Sequence, residues 1–262
     1  MLKATALCAI SNEERQTAVS QITALPQFSQ NIIIEPSNGE DTVPESVISL
    51  SYRIMEHDEI LKDIINDLRA LFVCKREDFH ISLSSKSQAE REIIIGLFQD
   101  MVGIISPLRY CQDCNMLNGK LSLSVKAQRF ITGQYLELAL YKETRDLLEV
   151  LSTKHCKPYK LYRNVKIATA EGRLKNEFDL VIDFDGIIYV IEIKSGRNFR
   201  DFDKYMRIGR EYGIVPDRFM LVDNFLSAEQ ADTAEYFCDY YVTNLQNGNF
   251  VKKLTAMIEN DL

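Results

Sequence analysis

The sequence predicts an α/β (α+β) fold in which a mixed central sheet is flanked by helices and follows a mostly helical N-terminal region. Beyond Gln128, one long helical segment precedes three consecutive strand segments, after which helices and strands alternate. This order of elements is typical of a mixed sheet with helices on its faces. The dipeptide Asp185-Gly186, a strong two-residue turn signal, lies between the second and third strand segments and predicts that they form a hairpin.

The N-terminal half shows helical spacing and helix-start signals. In "DEILKDIINDLRALF" (58–72), the spacing of the apolar residues predicts an amphipathic helix. Ser11–Glu14 and Ser87–Glu90 both have the spacing of a capping box, and the second is predicted to open a helix that runs through Ile105. Residues 1–115 are therefore predicted to form a mostly helical unit without a recognisable chemical motif. The strand predictions nearest to these helices are "NIIIE" (31–35) and "KLSLSV" (120–125).

The elements after Gln128 are predicted to form a second unit over residues 128–262. Apolar runs bounded by turn residues are typical of buried strands, whereas longer amphipathic runs are typical of helices. The predicted helices are "GQYLELALYKETRDLLEVL" (133–151), "FRDFDKYMRIGREYG" (199–213), a short one from Ala228 and a final one. The predicted strands are "YRNVKIA" (162–168), "EFDLVIDF" (177–184), "IIYVIEI" (187–193), "RFMLVD" (218–223) and "DYYVT" (239–243).

Composition and charge limit the classes of function. The 262 residues carry a formal net charge of −7, with 26% charged and 46% hydrophobic residues, as is ordinary for a soluble globular protein. The acidic balance argues against a protein that coats nucleic acid non-specifically. No apolar run approaches the roughly 20 residues of a membrane span, so no membrane partner is expected. Six scattered cysteines lack the density of a disulfide scaffold, which predicts reduced thiols in a cytoplasmic protein.

Positive charge is concentrated on either side of one acidic stretch. Residues 154–175 contain seven Lys or Arg residues against one acid, and residues 194–210 contain six against two. Between them runs "EFDLVIDFDGIIYVIEIKSG" (177–196), in which acids interrupt apolar strands. A solvated basic face is the simplest explanation of such runs, and a surface that contacts phosphates is the functional one.

The acidic stretch places charged side chains inside two strands that otherwise look like core. With Asp185-Gly186 as the turn, paired positions sum to 371, so Asp179 is predicted to lie opposite Glu192, and Glu177 opposite Lys194. Alternation along each strand puts these four side chains on one face of the hairpin. The other face is predicted to carry Phe178, Leu180, Ile182, Tyr189, Ile191 and Ile193.

Two opposed carboxylates need a proton or a cation between them, because opposing Cβ atoms in a sheet lie only about 4.5–5.5 Å apart. Oxygen ligands without histidine or cysteine suit Mg²⁺ or Mn²⁺, which one or two carboxylates and a substrate phosphate commonly hold. Lys194 would lie beside such an ion, where it can orient or deprotonate a water. The alternative is a cross-strand ion-pair cluster on an exposed face, which leaves the repulsion between Asp179 and Glu192 unexplained.

These residues resemble the PD-(D/E)xK nuclease superfamily. The match consists of Asp179, a gap across a hairpin and then "EIK" (192–194), with Phe178 where the superfamily name has proline. The resemblance covers about residues 128–243, where "RFITGQYLELALY" and the hairpin are most similar to the nuclease half of cyclic-oligonucleotide-activated CRISPR accessory nucleases. It implies a restriction-endonuclease-like fold with a glutamate on the helix before the hairpin, and Glu137 stands at about that place. A solvent-facing helical glutamate is the alternative for Glu137.

The resemblance implies a metal-dependent phosphodiesterase, an endonuclease that cuts DNA or alternatively RNA. Asp179, Glu192 and the main-chain carbonyl of Ile193 would bind Mg²⁺ or Mn²⁺. Lys194 would position the attacking water, and Glu137 would hold water or a second ion. Surface solvation is the alternative for each of the candidate contacts with the substrate backbone. These candidates are Arg197, Arg200, Lys204 and Arg207.

Two further functions stay open on the sequence alone. One is a non-catalytic nuclease fold that serves as a scaffold, in which the helical half recruits a protein partner, although the intact Asp–Glu–Lys set argues against a decayed site. The other is an accessory nuclease that a nucleotide activates. Cutting both strands of a duplex usually calls for two sites, which makes a homodimer the expected assembly for a double-strand endonuclease.

Overall fold

The structure, a computed structural model, describes residues 32–35, 43–169, 174–197 and 201–262. Its main sheet is antiparallel from the first strand to the fourth and parallel from the fourth to the sixth, so the mixed sheet predicted from the sequence is confirmed. The strands lie in the order β1 (Ile32–Glu35), β5 (Tyr159–Thr169), β6 (Leu174–Phe184), β7 (Ile187–Lys194), β8 (Phe219–Asp223) and β9 (Tyr241–Thr243).

Helices cover both faces of this sheet. They are α1 (Glu45–Glu56), α2 (Asp58–Cys74), α3 (Gln88–Asp100), α4 (Val125–Arg129), α5 (Tyr135–His155), α6 (Phe202–Tyr212), α7 (Ala228–Cys238) and α8 (Asn249–Glu259). A π-helical turn (Phe130–Gln134) joins α4 to α5. One apolar cluster packs α5 and α8 against one face of the sheet, and a second packs α6 and α7 against the other face.

A second, three-stranded antiparallel sheet lies in the N-terminal region, in the order β2 (Asp78–Ser82), β4 (Met116–Leu121) and β3 (Ile105–Cys111). The strand predicted over 120–125 is therefore shifted towards the N-terminus. The reason is local, because the Ser124 side chain accepts the Ala127 N–H and caps α4, so that Val125 begins a helix. The fold class is confirmed, with this small sheet added to the helices.

The other N-terminal predictions differ in outcome. The helix over 58–72 is confirmed as α2, and Ser87 and Glu90 form the predicted capping box at the start of α3. That helix ends at Asp100, so the prediction that it runs through Ile105 is wrong. The capping box at Ser11–Glu14 lies outside the described residues.

The N-terminal helices and the main sheet share one apolar core. The larger cluster contains Ile54 of α1, Leu61 of α2 and Phe98 of α3 together with Leu180 of β6 and Met220 of β8. The division of the chain into units over 1–115 and 128–262 stays a prediction. Within the described ranges, no helix is both long and apolar enough to cross a membrane, and the cysteines found there are free.

Gly119 provides a test of the small sheet, since it lies in β4 between Phe79 of β2 and the β3 backbone. A Cβ at this position would lie 2.5 Å from Phe79 Cζ and 3.0 Å from the Pro107 carbonyl oxygen. Gly119→Ala is therefore expected to lower the free energy of unfolding by about 1–3 kcal/mol, measured by urea denaturation. Gly96→Ala in α3 is the control, because nothing lies within 4 Å of its added Cβ. Equal stability of the two variants would contradict this packing.

Candidate active site

The predicted turn between β6 and β7 is confirmed. Asp185 and Gly186 both have positive φ, 54° and 84°, as a type I′ turn requires. From Leu180↔Ile191 to Phe184↔Ile187, paired positions sum to 371, so the predicted register is confirmed over this part of the hairpin.

The strand pairing changes character beyond Leu180, where the described ladder between β6 and β7 ends. There the Ile193 N–H donates to Asp179 Oδ2 at 2.6 Å. Glu177 is exposed and is paired with Lys166 of β5, and the predicted pairing with Lys194 is not among the described pairs. A side-chain hydrogen bond to the main chain thus takes the place of the next ladder bond.

Phe178 lies on the face opposite to the one predicted. It belongs to the apolar cluster under α6 and meets the Tyr212 ring edge-to-face, with 6.0 Å between ring centroids, whereas Leu180 belongs to the other cluster. The prediction that the two share a face is wrong. Asn164, which lies in β5 across from this break, has a positive φ of 53°, so regular alternation is interrupted at this row of the sheet.

Asp179, Glu192 and Lys194 meet at the open end of the hairpin. Lys194 Nζ lies 2.9 Å from Glu192 Oε2 and 3.7 Å from Asp179 Oδ2, so one ammonium bridges both carboxylates. Glu192 is only 3% exposed. Its second oxygen, Oε1, is buried and has no hydrogen-bond partner in the part of the chain that the structure describes. The structure therefore brings these three predicted residues together.

Burial and mutual charge shift the protonation of this cluster. Burial, and then the charge of Asp179, raise the pKa of Glu192 to about 7, while Lys194 and hydrogen bonds oppose the shift. Burial also raises the pKa of Asp179, against the opposing effect of Lys194. Burial disfavours the charged form of Lys194, but the two carboxylates hold its pKa above the ordinary value. The lysine is therefore charged at neutral pH, and Glu192 exchanges a proton near pH 7.

Glu137 approaches the same cluster from the first turn of α5. Burial, and then the charge of Asp179, raise its pKa to about 7, and Lys194 acts in the opposite direction. Glu137 is half-buried, so it does not take the solvent-facing position that was the alternative. The Ser195 hydroxyl donates to the Thr132 carbonyl at 3.1 Å, which ties the chain after β7 to the turn before α5.

The side chains of the cluster can be compared with the ligands that the predicted metal ion requires. Among the described residues, no group of three or more His, Cys, Asp or Glu side chains is arranged to hold a metal ion. The carboxylates of Asp179 and Glu192 are nevertheless oxygen donors of the kind that Mg²⁺ prefers, and Glu192 Oε1 is buried without a partner. Because Mg²⁺ is usually held by one or two carboxylates plus substrate phosphate, these residues fit the ion. The role of the Ile193 carbonyl stays a prediction.

The basic residues predicted to contact the substrate differ in their surroundings. Arg197 is ion-paired with Asp63 of α2. Lys204 is exposed on α6, and Arg207 is exposed three residues further along the same helix. Arg200 lies outside the described residues. Lys204 and Arg207 are thus the members of this set that face solvent without a described ion pair.

Tyr205 and Asp223 belong to the site but were not singled out from the sequence. Burial, and then the charge of Glu192, raise the pKa of Tyr205, and Lys194 Nζ lies 5.4 Å from the centre of its ring. Asp223 ends β8 beside Lys194, and burial raises its pKa to about 6. The sequence signal that could have identified Asp223 is its place as the acidic last residue of an apolar strand, because ligands bind at the carboxyl ends of parallel strands.

A groove with a volume of about 850 Å³ adjoins the site through Asp223. Residues of α6, α7 and the segment after β8 line it, among them Phe202, Asp203, Phe225 and Phe237. The groove therefore opens at the carboxyl end of β8, on the same edge of the sheet as Lys194.

Comparison with known proteins shows similarity in fold. No family model and no curated protein match the chain. The solved structure of VC1899 from Vibrio cholerae is similar, with a TM-score of 0.57 and 16% sequence identity. Can2 from Sulfobacillus thermosulfidooxidans, solved in complex with cyclic tetra-adenylate, is similar with a TM-score of 0.58 and 16% identity. Each similarity covers 87% of this chain, which spans only 58% of the length of either protein.

Proposed function

We propose that this protein is a metal-dependent nuclease that hydrolyses phosphodiester bonds of DNA, with RNA as the alternative substrate. The observation that carries the proposal is Lys194 bridging two carboxylates, the half-buried Asp179 and the buried Glu192, from the two strands of one hairpin. An exposed ion pair would contribute only about 0–1 kcal/mol, whereas buried acids with shifted pKa values are concentrated at functional sites. The resemblance to PD-(D/E)xK nucleases supports the same reaction.

Each residue of the cluster has a role in this proposal. Asp179, Glu192 and the Ile193 carbonyl would hold Mg²⁺ or Mn²⁺, and a bound ion lowers the pKa of water and neutralises charge on the phosphate. Because the pKa of Lys194 is raised, its ammonium orients the attacking water and stabilises negative charge rather than acting as a base. Glu137, with a pKa of about 7, is suited to accept a proton or to hold a second ion.

Lys204 and Arg207 are the best candidates for contacts with the phosphates of the substrate. Both are exposed and lie three residues apart, on neighbouring positions of one face of α6. Contacts of this kind position a nucleic acid without reading its bases. Arg197 would first have to leave Asp63, so it ranks behind them in this proposal.

The likeness to Can2 favours a second proposal, an accessory nuclease that a cyclic oligonucleotide activates. The similarity covers 87% of this chain and so extends beyond residues 128–262, and the Can2 structure contains cyclic tetra-adenylate. Cyclic tetra-adenylate is then expected to raise the melting temperature, because a ligand that binds the folded state stabilises it. An unchanged melting temperature at millimolar nucleotide would reject activation by this ligand and leave the nuclease proposal intact.

The nuclease proposal is tested by a cleavage panel over single- and double-stranded DNA and RNA with Mg²⁺, Mn²⁺ or EDTA. Cleavage is expected with either metal ion and is expected to be abolished by EDTA. Asp179→Asn should remove cleavage and weaken Mn²⁺ binding measured by calorimetry. Asp183→Asn is the control on the same strand, where the carboxylate accepts the Gly186 N–H at 2.9 Å, and it should behave as the wild type. A wild-type protein that neither binds Mn²⁺ nor cleaves would favour the scaffold instead.

A further inference from the structure

Asn224, the residue after Asp223, is hydrogen-bonded to elements on both sides of the site. Its main-chain N–H donates to the Lys194 carbonyl at 3.3 Å, and its side-chain Nδ2 donates to Asp58 Oδ1 at 2.9 Å. Its side chain lies near the Tyr135 hydroxyl, and its Oδ1 is buried without a hydrogen-bond partner in the described part of the chain. Asn224 is 3% exposed and Asp58 8% exposed, so water does not compete freely for these bonds.

Asn224 lies beside the segments that carry two proposed site residues. Its main-chain partner is Lys194 itself, at the end of β7. Tyr135 begins α5, two residues before Glu137. The end of β7 and the start of α5 therefore meet near one buried amide.

Helix α2 contacts the segments on both sides of Asn224. Besides Asp58, it contributes Asp63, which pairs with Arg197 three residues beyond Lys194. It also contributes Arg69, whose Nε donates at 2.9 Å to the Ile131 carbonyl in the turn before α5. These contacts extend along α2, so the helix lies against both the end of β7 and the start of α5.

We propose that Asn224, held by Asp58, is a positioning residue that sets Lys194 of β7 relative to Glu137 of α5. This inference rests on the proposed nuclease function. A buried amide N–H is costly to leave without an acceptor, so the bond from Asn224 Nδ2 to Asp58 Oδ1 favours one position of the segment after β8 relative to α2. A displacement of about 1 Å away from the reacting atoms can lower a rate by roughly 100-fold, so the amide acts through the two site residues without touching the substrate.

The test exchanges the chemical groups of the buried pair. Asn224→Asp places a carboxylate against Asp58 and is expected to lower kcat for cleavage by about 10- to 100-fold, with KM for the nucleic acid changed by less than about threefold. Asp58→Asn alone keeps an acceptor for the Asn224 amide and is expected to stay near wild type. The double variant restores one amide and one carboxylate, and kcat is expected to recover to within about threefold of wild type.

Asn244→Asp is the matched control for burial, because Asn244 is 1% exposed and its side chain bonds to Leu226, Gln246 and Asn249. It should lower the melting temperature without the loss in kcat. The Mn²⁺ dissociation constant, measured by calorimetry, should stay within about threefold of wild type in both variants, because the carboxylates of Asp179 and Glu192 are unchanged.

Wild-type kcat in Asn224→Asp, an equal loss in Asn244→Asp, or failure of the double variant to recover would each overturn the inference. If Asn224→Asp does not fold, Asn224→Ala removes the amide that donates to Asp58 without adding a charge, and an unchanged kcat in that variant overturns it as well. A wild-type protein without Mn²⁺ binding or cleavage rejects the proposed function and this inference with it. Cleavage by the wild type with an unaffected Asn224→Asp variant rejects the inference alone.

Discussion

Lys194→Met is expected to lower the rate of metal-dependent cleavage by at least about 100-fold, measured under single-turnover conditions at saturating Mn²⁺. Methionine keeps much of the side-chain volume but removes the charge that lies 2.9 Å from Glu192 Oε2 and 3.7 Å from Asp179 Oδ2. The attacking water would lose its proposed donor, and the carboxylates of Asp179 and Glu192 would lose their shared counter-charge. Their pKa values should therefore rise further, which makes the metal-free cluster take up protons.

Lys253→Met is a closely matched control for this variant. Lys253 also bridges two carboxylates, with Nζ 3.2 Å from Asp232 Oδ1 and 2.9 Å from Glu235 Oε2. Its side chain is 24% exposed, compared with 25% for Lys194. Loss of an equally buried bridging lysine should therefore cost stability in both variants but activity in only one. Full cleavage by Lys194→Met would remove the basis of the nuclease proposal.

Glu192→Gln is expected to change how the stability of the metal-free protein depends on pH. Burial raises the pKa of Glu192 from the ordinary value of 4.5 to about 7 in the folded state. A folded state with the higher pKa binds the proton more tightly, so the associated stability is present below about pH 4.5 and is lost as the pH rises through about 7. A shift of this size corresponds to roughly 3 kcal/mol of unfolding free energy. The wild type should lose most of it between pH 5 and pH 8, whereas Glu192→Gln has no carboxyl group at this position and should not.

The measurement is urea unfolding of both proteins in EDTA at pH 5 and pH 8. The free energy of unfolding should fall more steeply with pH in the wild type than in Glu192→Gln. Glu177→Gln on the neighbouring strand is the control, because Glu177 is exposed, and its pH dependence should follow the wild type. Parallel curves for Glu192→Gln and the wild type would show that Glu192 titrates in the folded protein much as it does in the unfolded chain.

Local signals account for the parts of the hairpin that were predicted correctly. The conformation of Asp185-Gly186 depends on two adjacent residues, and the turn then determines the pairing of the ten residues from Leu180 to Phe184 and from Ile187 to Ile191. The face of Phe178 could not be obtained in this way, because alternation is interrupted in the row of the sheet where Asn164 of β5 has a positive φ. Alternation is a reliable guide only while the ladder is regular.

The small sheet and the buried amide had weaker sequence signals. Strands β3 and β4 contain Pro107, Asn118 and Gly119, which are residue types depleted in strands. Asp58 and Asn224 are 166 positions apart, and no periodicity links an acid at a helix start to an amide after a strand. Such pairs arise from packing between distant segments, so only the folded structure brings them into view.

The apolar cluster that joins α1, α2 and α3 to the main sheet has a consequence for how this protein could evolve. Side chains from both halves are interdigitated in one interior, so neither half presents a finished outer surface to the other. Transfer of either half to an unrelated chain by recombination would expose to water the apolar side chains that are now buried between the two halves. Divergence of this protein should therefore proceed through coordinated substitutions across the shared interior rather than through exchange of modules.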